Sequence, residues 1–283
     1  MNIRTRIESI MGTAVTEISP LSGGCIGQVY AVRLENGRRL VVKADEGHVP
    51  RLDIEGYMLR TLAERSTLPV PQLFHSSERL LLMSFLPGES RFSAAAQRHA
   101  AELLAALHEI SASAFGLERD TLIGGLNQPN AWMASWLDFF RERRLMYMAR
   151  EGVREGRLPP PVLPRLERLC ARLDEWLDEP AHPSLIHGDV WTTNVLAEGG
   201  RITGFVDPAI YFAHPEIELA FTTLFGTFGD AFFAHYHEIR PIAAGFFEER
   251  RDLYNLYPLL VHARLFGGSY VSSVDAVLRR FGF

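Results

Sequence analysis

The stretch that decides the fold is His187-Gly188-Asp189-Val190-Trp191-Thr192-Thr193-Asn194, followed thirteen residues later by Asp207 within Phe205-Val206-Asp207-Pro208. Between the two, residues 195–197 and 202–206 read as short strands joined across Glu198-Gly199-Gly200-Arg201, the pattern of a β-hairpin. A hairpin returns its ends to one place, so Asn194 and Asp207 become neighbours with Asp189 close by. Two carboxylates and an amide oxygen then converge. These are hard oxygen donors suited to Mg²⁺, which completes its shell with substrate phosphates and waters. The plainer alternative makes His-Gly-Asp a turn and Asp207 a capping carboxylate. The complete order, with the hairpin inside it, favours the cation-binding reading.

This order resembles the catalytic and metal loops of the protein-kinase-like fold. The resemblance implies that Asp189 orients and deprotonates an acceptor hydroxyl, while Asn194 and Asp207 hold Mg²⁺ on the nucleotide phosphates. Such a fold also needs a glycine-rich loop, a strand lysine and a helix glutamate upstream, and all three follow in order. Gly23, Gly24, Cys25, Ile26 and Gly27 occupy a strand-turn-strand position where backbone N–H groups approach phosphate oxygens. Lys43 closes the apolar strand of residues 39–43. Glu55 lies twelve residues on, in a helix over 53–65, where it can pair with Lys43. The backbone of Ser84, Phe85 and Leu86, at the end of a strand over 80–85, is placed to meet an adenine edge.

The rest of the chain divides around this frame. Residues 1–88 are β-rich, with a hairpin signalled by Asn36-Gly37 between strands over 29–34 and 39–43. Residues 89–283 carry helical periodicity over 94–110, 130–152, 166–177, 216–228 and 246–266, and turn β-like over 184–206. The expected architecture is α+β: a small nucleotide-binding N-lobe (1–88), a hinge near Ser84 to Gly88, and a larger, mainly helical C-lobe (89–283) with the catalytic loop, metal site and substrate pocket.

Composition sets outer bounds. With 283 residues, 47% hydrophobic and 22% charged, the chain is an ordinary globular one, which excludes a disordered, collagen-like or disulfide-stapled protein. A net charge of −5 argues against nucleic acid or an anionic membrane as main partner. No apolar run approaches the ~20 residues that span a bilayer. Cys25 and Cys170 are too few for a zinc site and sit in unrelated contexts. The cytoplasm is the expected location.

The catalytic sequence has His-Gly-Asp in place of His-Arg-Asp, and Asp-Phe-Gly, Ala-Pro-Glu and a long activation segment are all missing, which disfavours a protein kinase. The chain looks like the aminoglycoside and choline phosphotransferase branch, which acts on small molecules. Within that branch Gly124-Gly125-Leu126-Asn127-Gln128-Pro129-Asn130, Trp136-Leu137-Asp138-Phe139-Phe140, Arg143-Arg144-Leu145, the loop with Trp191, Asp207-Pro208-Ala209-Ile210-Tyr211 and Phe266-Gly267-Gly268-Ser269-Tyr270 together resemble the fructosamine kinase (ketosamine-3-kinase) family. Val190, Thr192-Thr193 and Glu218 depart from it, standing where Leu, Ser-Gly and Asp are more usual. The resemblance implies ATP- and Mg²⁺-dependent phosphorylation of the third-carbon hydroxyl of a ribulosamine, erythrulosamine or fructosamine, free or protein-bound, in deglycation repair. Rival readings are an aminoglycoside, choline or free-sugar kinase of the same branch, and a nucleotide-binding pseudokinase, against which Lys43, Asp189 and Asp207 are all retained.

Secondary residues carry paired readings. Gln128, Asn130, Trp191 and Glu216 are assigned to the substrate, because amides and an aromatic face suit a sugar. Trp136 shares that reading or is core. Glu216 and Glu218 meet the substrate amine or favour a helix N-terminus electrostatically. His187 braces the catalytic loop, and His262 reads as a core histidine. Cys25 fills a tight turn or acts as a redox switch through a disulfide in a homodimer. Cys170 is a buried apolar side chain.

Overall fold

The computed structural model describes residues 2–21 and 27–283. The expectations for Gly23, Gly24, Cys25 and Ile26 therefore lie outside the described residues. Strands β1 (Val15–Pro20), β2 (Gln28–Leu34), β3 (Arg39–Ala44), β4 (Leu73–Ser77) and β5 (Leu80–Ser84) form an antiparallel sheet in the order β1-β2-β3-β5-β4. The β2–β3 hairpin turns at Asn36-Gly37 as expected, and the Arg38 N–H donates to Asn36 Oδ1 at 3.0 Å.

Alternation along the strands sorts side chains between two helices. Leu40, Val42, Leu80 and Leu82 pack on one face with Ile7 of helix α1 (Ile3–Met11). Leu81 and Met83 pack on the other with Leu52 and Leu59 of helix α2 (Leu52–Arg65), joined by Val41. Lys43 is two residues beyond Val41, so the pleat turns it to the α2 face. A Cβ on Gly56 would stand 2.0 Å from Ser76 Oγ. Glycine there lets α2 settle closely on the sheet, which brings the adjacent Glu55 to Lys43.

The remainder is mostly helical, starting with α3 (Ala94–His108). The segment that joins the two parts is fastened to the predicted hairpin. Glu89 and Ala197 exchange N–H···O bonds of 2.9 Å in both directions, and Ser90 Oγ donates to Val195 O at 3.0 Å. From the sheet side, Phe205 N–H donates to Pro69 O at 2.8 Å.

Residues 130–152 do not form the single helix expected. The chain has no regular element until Ser135 caps Trp136–Phe139, then continues through a π-helical segment, Phe140–Met146, into Tyr147–Arg154. The wider turn buries residues five apart, Phe139 with Arg144 and Phe140 with Leu145. Helices Asp230–Ile239 and Ser269–Arg280 add to those expected, and the helix from Glu216 stops at Leu224, short of Phe228.

Trp136 belongs to the core. It is fully buried, packs on Phe115, Phe140 and Tyr254 with centroids 5.5, 5.4 and 6.1 Å away, and donates its indole N–H to Tyr254 Oη. Its proposed place against a sugar is corrected by that burial. Cys170 is buried as expected, and burial pushes its thiol up to about 12.

His214 packs beside Trp136 and Tyr254, and its Nδ1 accepts the Glu216 N–H at 3.1 Å. Burial, then the Arg250 and Arg240 guanidiniums, depress its pKa to about 3. An unfolded histidine titrates near 6.5. Between those values the unfolded chain binds the extra proton, so this residue makes stability fall as pH falls below about 6.5. Urea unfolding at pH 7 and pH 5 should show His214→Asn with a shallower acid loss than the parent, by at most about 1.4 kcal/mol per pH unit. Equal slopes would show that His214 does not stay neutral in the fold.

Candidate active site

Strand Ser184–Ile186 pairs with Tyr211–Ala213 and delivers the chain into the catalytic loop. The loop is pressed on the return strand: Ala209 N–H donates to His187 O at 2.8 Å. Gly188 has φ +84°, and a Cβ there would lie 2.1 Å from Ala209 O. This contact explains a glycine between His187 and Asp189.

The Gly188 N–H donates to Glu218 Oε1 at 2.6 Å. Glu218 Oε2 lies 2.9 Å from His108 Nε2, and His108 Nδ1 lies 2.7 Å from Tyr236 Oη. All three side chains are buried. Burial alone would raise the Glu218 carboxyl, but the bonds from His108 and Gly188 hold it below its ordinary value. Sequence reasoning left Glu218 between substrate amine and helix electrostatics; it braces the loop. His108 was missed, although it follows Ala101 and Leu104 on the buried face of α3 at helical spacing.

His187 does brace the loop. It is fully buried, kept neutral by burial with a pKa down at about 4, and its Nδ1 accepts the Asp189 N–H at 3.3 Å. Asn194 Nδ2 donates to Asp189 Oδ2 at 2.8 Å and to Asp189 O at 3.0 Å. The predicted hairpin is present, with Val195 opposite Phe205 and Glu198 opposite Arg201. Val206 N–H donates to Asn194 O at 2.9 Å, which sets Asn194 beside Asp207. Asp207 has φ +53°, alone among the described non-glycine residues in being positive. Such backbone strain gathers at functional sites.

Asp207 Oδ1 is paired with Lys43 Nζ, and Lys43 reaches Glu55 Oε1 at 2.7 Å. Burial pulls the ammonium down, yet the two carboxylates outweigh it and raise its pKa above the ordinary value. Asp189 is pushed up to about 8, first by burial and then by Asp207, against the Asn194 amide. The five residues Asp189, Asn194, Asp207, Lys43 and Glu55 therefore form one connected cluster. At the chain connection, the N–H groups of Ser84 and Phe85 are spent on Gln72 O (2.8 Å) and Arg39 O (3.2 Å). These two cannot donate to an adenine; their carbonyls and the Leu86 backbone remain.

The assigned substrate residues separate. Gln128 is fully buried; its amide donates to Thr121 Oγ1 (2.8 Å) and Ala209 O (3.0 Å), and its oxygen accepts from Tyr257 Oη (2.6 Å). Asn130 is also fully buried, between Thr121 and Arg144 Nη2. Glu216 is held bidentately by Arg250 at 2.7 and 2.8 Å. These three spend their polar atoms inside the protein, and the sugar-binding expectation for them is corrected on that ground. Trp191 is different. It is half-buried and starts an aromatic row: Phe225 at 5.4 Å, His262 5.1 Å further, then Tyr270 at 4.9 Å and Phe266 at 5.7 Å from His262. Phe266 is 59% exposed. His262, expected in the core, lies within this row, with its Nδ1 2.7 Å from Pro258 O.

A strand lysine paired to a helix glutamate, an Asp-Asn loop and a strained Asp after a hairpin stand in the order used by the protein-kinase-like fold, and the chain has that fold, with an N-terminal antiparallel sheet and a mostly helical C-terminal part. The chain matches the fructosamine kinase family over residues 1–281, and it belongs to that family of ATP-dependent phosphotransferases. It is 35% identical to a "probable ketoamine kinase" of Synechocystis, covering 94% of this chain and 90% of that one. It is 30% identical to the chloroplastic protein-ribulosamine 3-kinase of Arabidopsis thaliana, covering 94% and 82%. The crystal structure of a "putative fructosamine-3-kinase" from Thermobifida fusca superposes with a TM-score of 0.88 at 30% identity, over 98% of this chain and 97% of the other. An aminoglycoside phosphotransferase solved with AMP-PNP and hygromycin B shares the fold at TM-score 0.69 and 18% identity, over 100% and 99%. The expected fold and family thus hold. No helix among the described residues is long and apolar enough to cross a membrane.

Replacing Gly188 by alanine should push the loop off Ala209 and misplace Asp189. Phosphotransfer should fall at least about 100-fold, as expected when catalytic groups are displaced by an ångström. Turnover by Gly188→Ala, compared with its circular dichroism, checks this; a folded variant with near-parental turnover would contradict the steric reading.

Proposed function

We propose that the protein is a ketosamine 3-kinase: it transfers the γ-phosphoryl group of ATP to the third-carbon hydroxyl of a ribulosamine, erythrulosamine or fructosamine, with deglycation as the biological outcome. The observation that carries this reading is the convergence of Asp189, Asn194, Asp207, Lys43 and Glu55 on one cluster in a chain of the fructosamine kinase family. The name of the Arabidopsis relative favours ribulosamine, on a protein, among the three sugars.

Asp189 is the general base. Its carboxylate accepts the hydroxyl proton as the hydroxyl oxygen bonds to the γ-phosphorus and the bond from that phosphorus to the departing ADP oxygen breaks. A carboxyl raised to about 8 is matched to taking a proton near neutral pH. Asn194 orients it through the 2.8 Å bond to Oδ2. Lys43, fixed by Glu55, carries the positive charge for the α- and β-phosphates. Gly27, with Gly23, Gly24, Cys25 and Ile26, belongs to the phosphate loop in this reading, and Ser84, Phe85 and Leu86 border the adenine.

Mg²⁺ fits the residues present. Asn194 spends its amide N–H on Asp189 and keeps its carbonyl oxygen, on which the Thr193 hydroxyl lies only at 3.5 Å. Asp207 adds a carboxylate. Asn194 Oδ1 and the Asp207 carboxylate are hard oxygen donors, and the rest of an Mg²⁺ shell would come from phosphate and water. Bound there, Mg²⁺ would neutralise phosphate charge.

Trp191, Phe225 and His262 form the wall on which the sugar and its amine rest. The lobe division at Gly88, with nucleotide groups on one side and acceptor groups on the other, is part of the same proposal, as is a cytoplasmic setting.

ATP consumption with ribulose-, erythrulose- and fructose-lysine, and with kanamycin and choline as controls, tests the substrate class. Turnover of at least one ketosamine is expected; turnover of a control alone would replace the reading. Asp189→Asn should lower kcat by about 10²–10⁴ with little change in KM for ATP. Trp191→Ala should raise KM for the ketosamine and leave KM for ATP in place, and steady-state kinetics distinguishes the two effects.

A further inference from the structure

The surroundings of His262 are built by a local device. The helix Arg251–Phe266 ends at Gly267-Gly268, with φ +66° and +59°, and the helix Ser269–Arg280 starts at once. Glycine enters that region without the strain a side chain would bring. The reversal folds Tyr270 back until its ring lies 4.9 Å from the His262 ring. Phe225 stands at 5.1 Å, Phe266 at 5.7 Å and Phe221 at 6.4 Å from the same imidazole. Trp191, Phe225, His262 and Tyr270 are half-buried, and the row opens to solvent at Phe266, which is 59% exposed.

The imidazole has a defined polarity. Pro258 O can only accept, so His262 Nδ1, 2.7 Å away, carries the ring proton. Burial lowers the pKa of His262 below its ordinary value, and no charged neighbour contributes. The ring is therefore neutral near pH 7, and its Nε2 presents a lone pair. That nitrogen bonds to nothing among the described residues and is open to water. A neutral acceptor among aromatic faces selects its ligand. The faces attract a cation, and the lone pair calls for a hydrogen to accept. An ammonium that still carries hydrogen meets both demands, whereas a carboxylate or a phosphate meets neither.

Resting on the ketosamine reading, we propose that His262 is the residue that recognises the amine of the acceptor. Nε2 accepts an N–H of the protonated secondary amine, Phe225 and Tyr270 flank the cation, and Phe266 receives the carbon chain that joins the amine to its carrier. The order along the row follows the order along the acceptor. Trp191, two residues from Asp189 in sequence, covers the sugar. The amine on C1 comes next, at His262, and the chain leaves over Phe266 into solvent, where a polypeptide has room. His262 thereby separates a ketosamine from a ketose that offers the same third-carbon hydroxyl without the amine.

Steady-state kinetics with three acceptors tests this: 1-butylamino-1-deoxyribulose, its ether counterpart 1-O-butylribulose, and 1-methylamino-1-deoxyribulose. The parent should use the butylamino compound at least about tenfold better than the ether, in kcat/KM, because only the amine is a cation with an N–H to give. His262→Phe keeps a ring and removes the acceptor; it should bring that ratio below about threefold while KM for ATP stays in place. The parent should also favour butylamino over methylamino by at least about threefold, for the added carbons laid on Phe266, and Phe266→Ala, at the exposed end of its helix, should abolish that advantage. Circular dichroism checks that both variants are folded. Equal use of amine and ether by the parent, or a tenfold ratio retained in folded His262→Phe, overturns the role of His262. No butyl advantage in the parent, or one that persists in Phe266→Ala, overturns the path of the chain. Turnover of none of the three overturns the ketosamine reading itself.

Discussion

One buried ammonium ties the molecule together. Lys43 comes from the sheet, Glu55 from the helix packed on it and Asp207 from the far end of a hairpin more than 160 residues away. Removing a charge from water is costly unless opposite charge surrounds it. Two carboxylates meet that need, and neither part of the chain holds both. The position of α2 on the sheet, the close approach at Gly56 and the strained backbone of Asp207 all serve the same contact. The arrangement also has an excess acid. In the proposed function, Asp207 would turn to a cation when polyphosphate arrives beside Lys43, while Glu55 stays on the ammonium.

Two buried polar networks flank this centre and differ in character. The first, Glu218 with His108 and Tyr236, grips the backbone of the catalytic loop, and every link is a short hydrogen bond. The second joins Gln128, Asn130, Thr121, Tyr257 and Arg144. Arg144 is fully buried, lies 3.8 Å from the Tyr211 ring centroid and donates to Pro129 O and Asn130 Oδ1, while its Nε has no partner. Aromatic faces and carbonyls thus stand in for a counter-ion. Asn130, which looked like a sugar contact, is spent on this cation, and Gln128 on Thr121, Ala209 and Tyr257 beside it; the aromatic row from Trp191 is the surface left near Asp189.

The catalytic hairpin, the Asn36-Gly37 turn and the Lys43–Glu55 spacing were legible because each is a local pattern whose geometry is set within a few residues. The order of loop, lysine, glutamate and Asp-Asn then named the fold. Gln128, Asn130 and Glu216 were misread because amide and carboxylate chemistry is the same whether a side chain faces a ligand or Arg144 and Arg250; only burial separates the cases. The interrupted helix over 130–152 escaped because its buried pairs at 139/144 and 140/145 are five residues apart, wider than the three- to four-residue spacing of an α-helical face. His108 and Glu218 meet across 110 residues, which no local window spans.

The strap between the chain connection and the hairpin has a mechanical consequence. Glu89 and Ser90 are bonded to Ala197 and Val195, and Pro69 to Phe205, so the hairpin bearing Asn194 and Asp207 is fastened to the pivot between the lobes. The same hairpin is held from the helical side as well: Ile202 N–H donates to His99 Nδ1 of α3 at 3.0 Å, and Val195, Ile202 and Phe205 are buried in the core shared with α3. Asn194 and Asp207 are therefore fixed at once from the chain connection, from α3 and, through Lys43, from the sheet. In the proposed function, the phosphates and their cation would meet a three-point mount that no single segment of the chain can shift by itself.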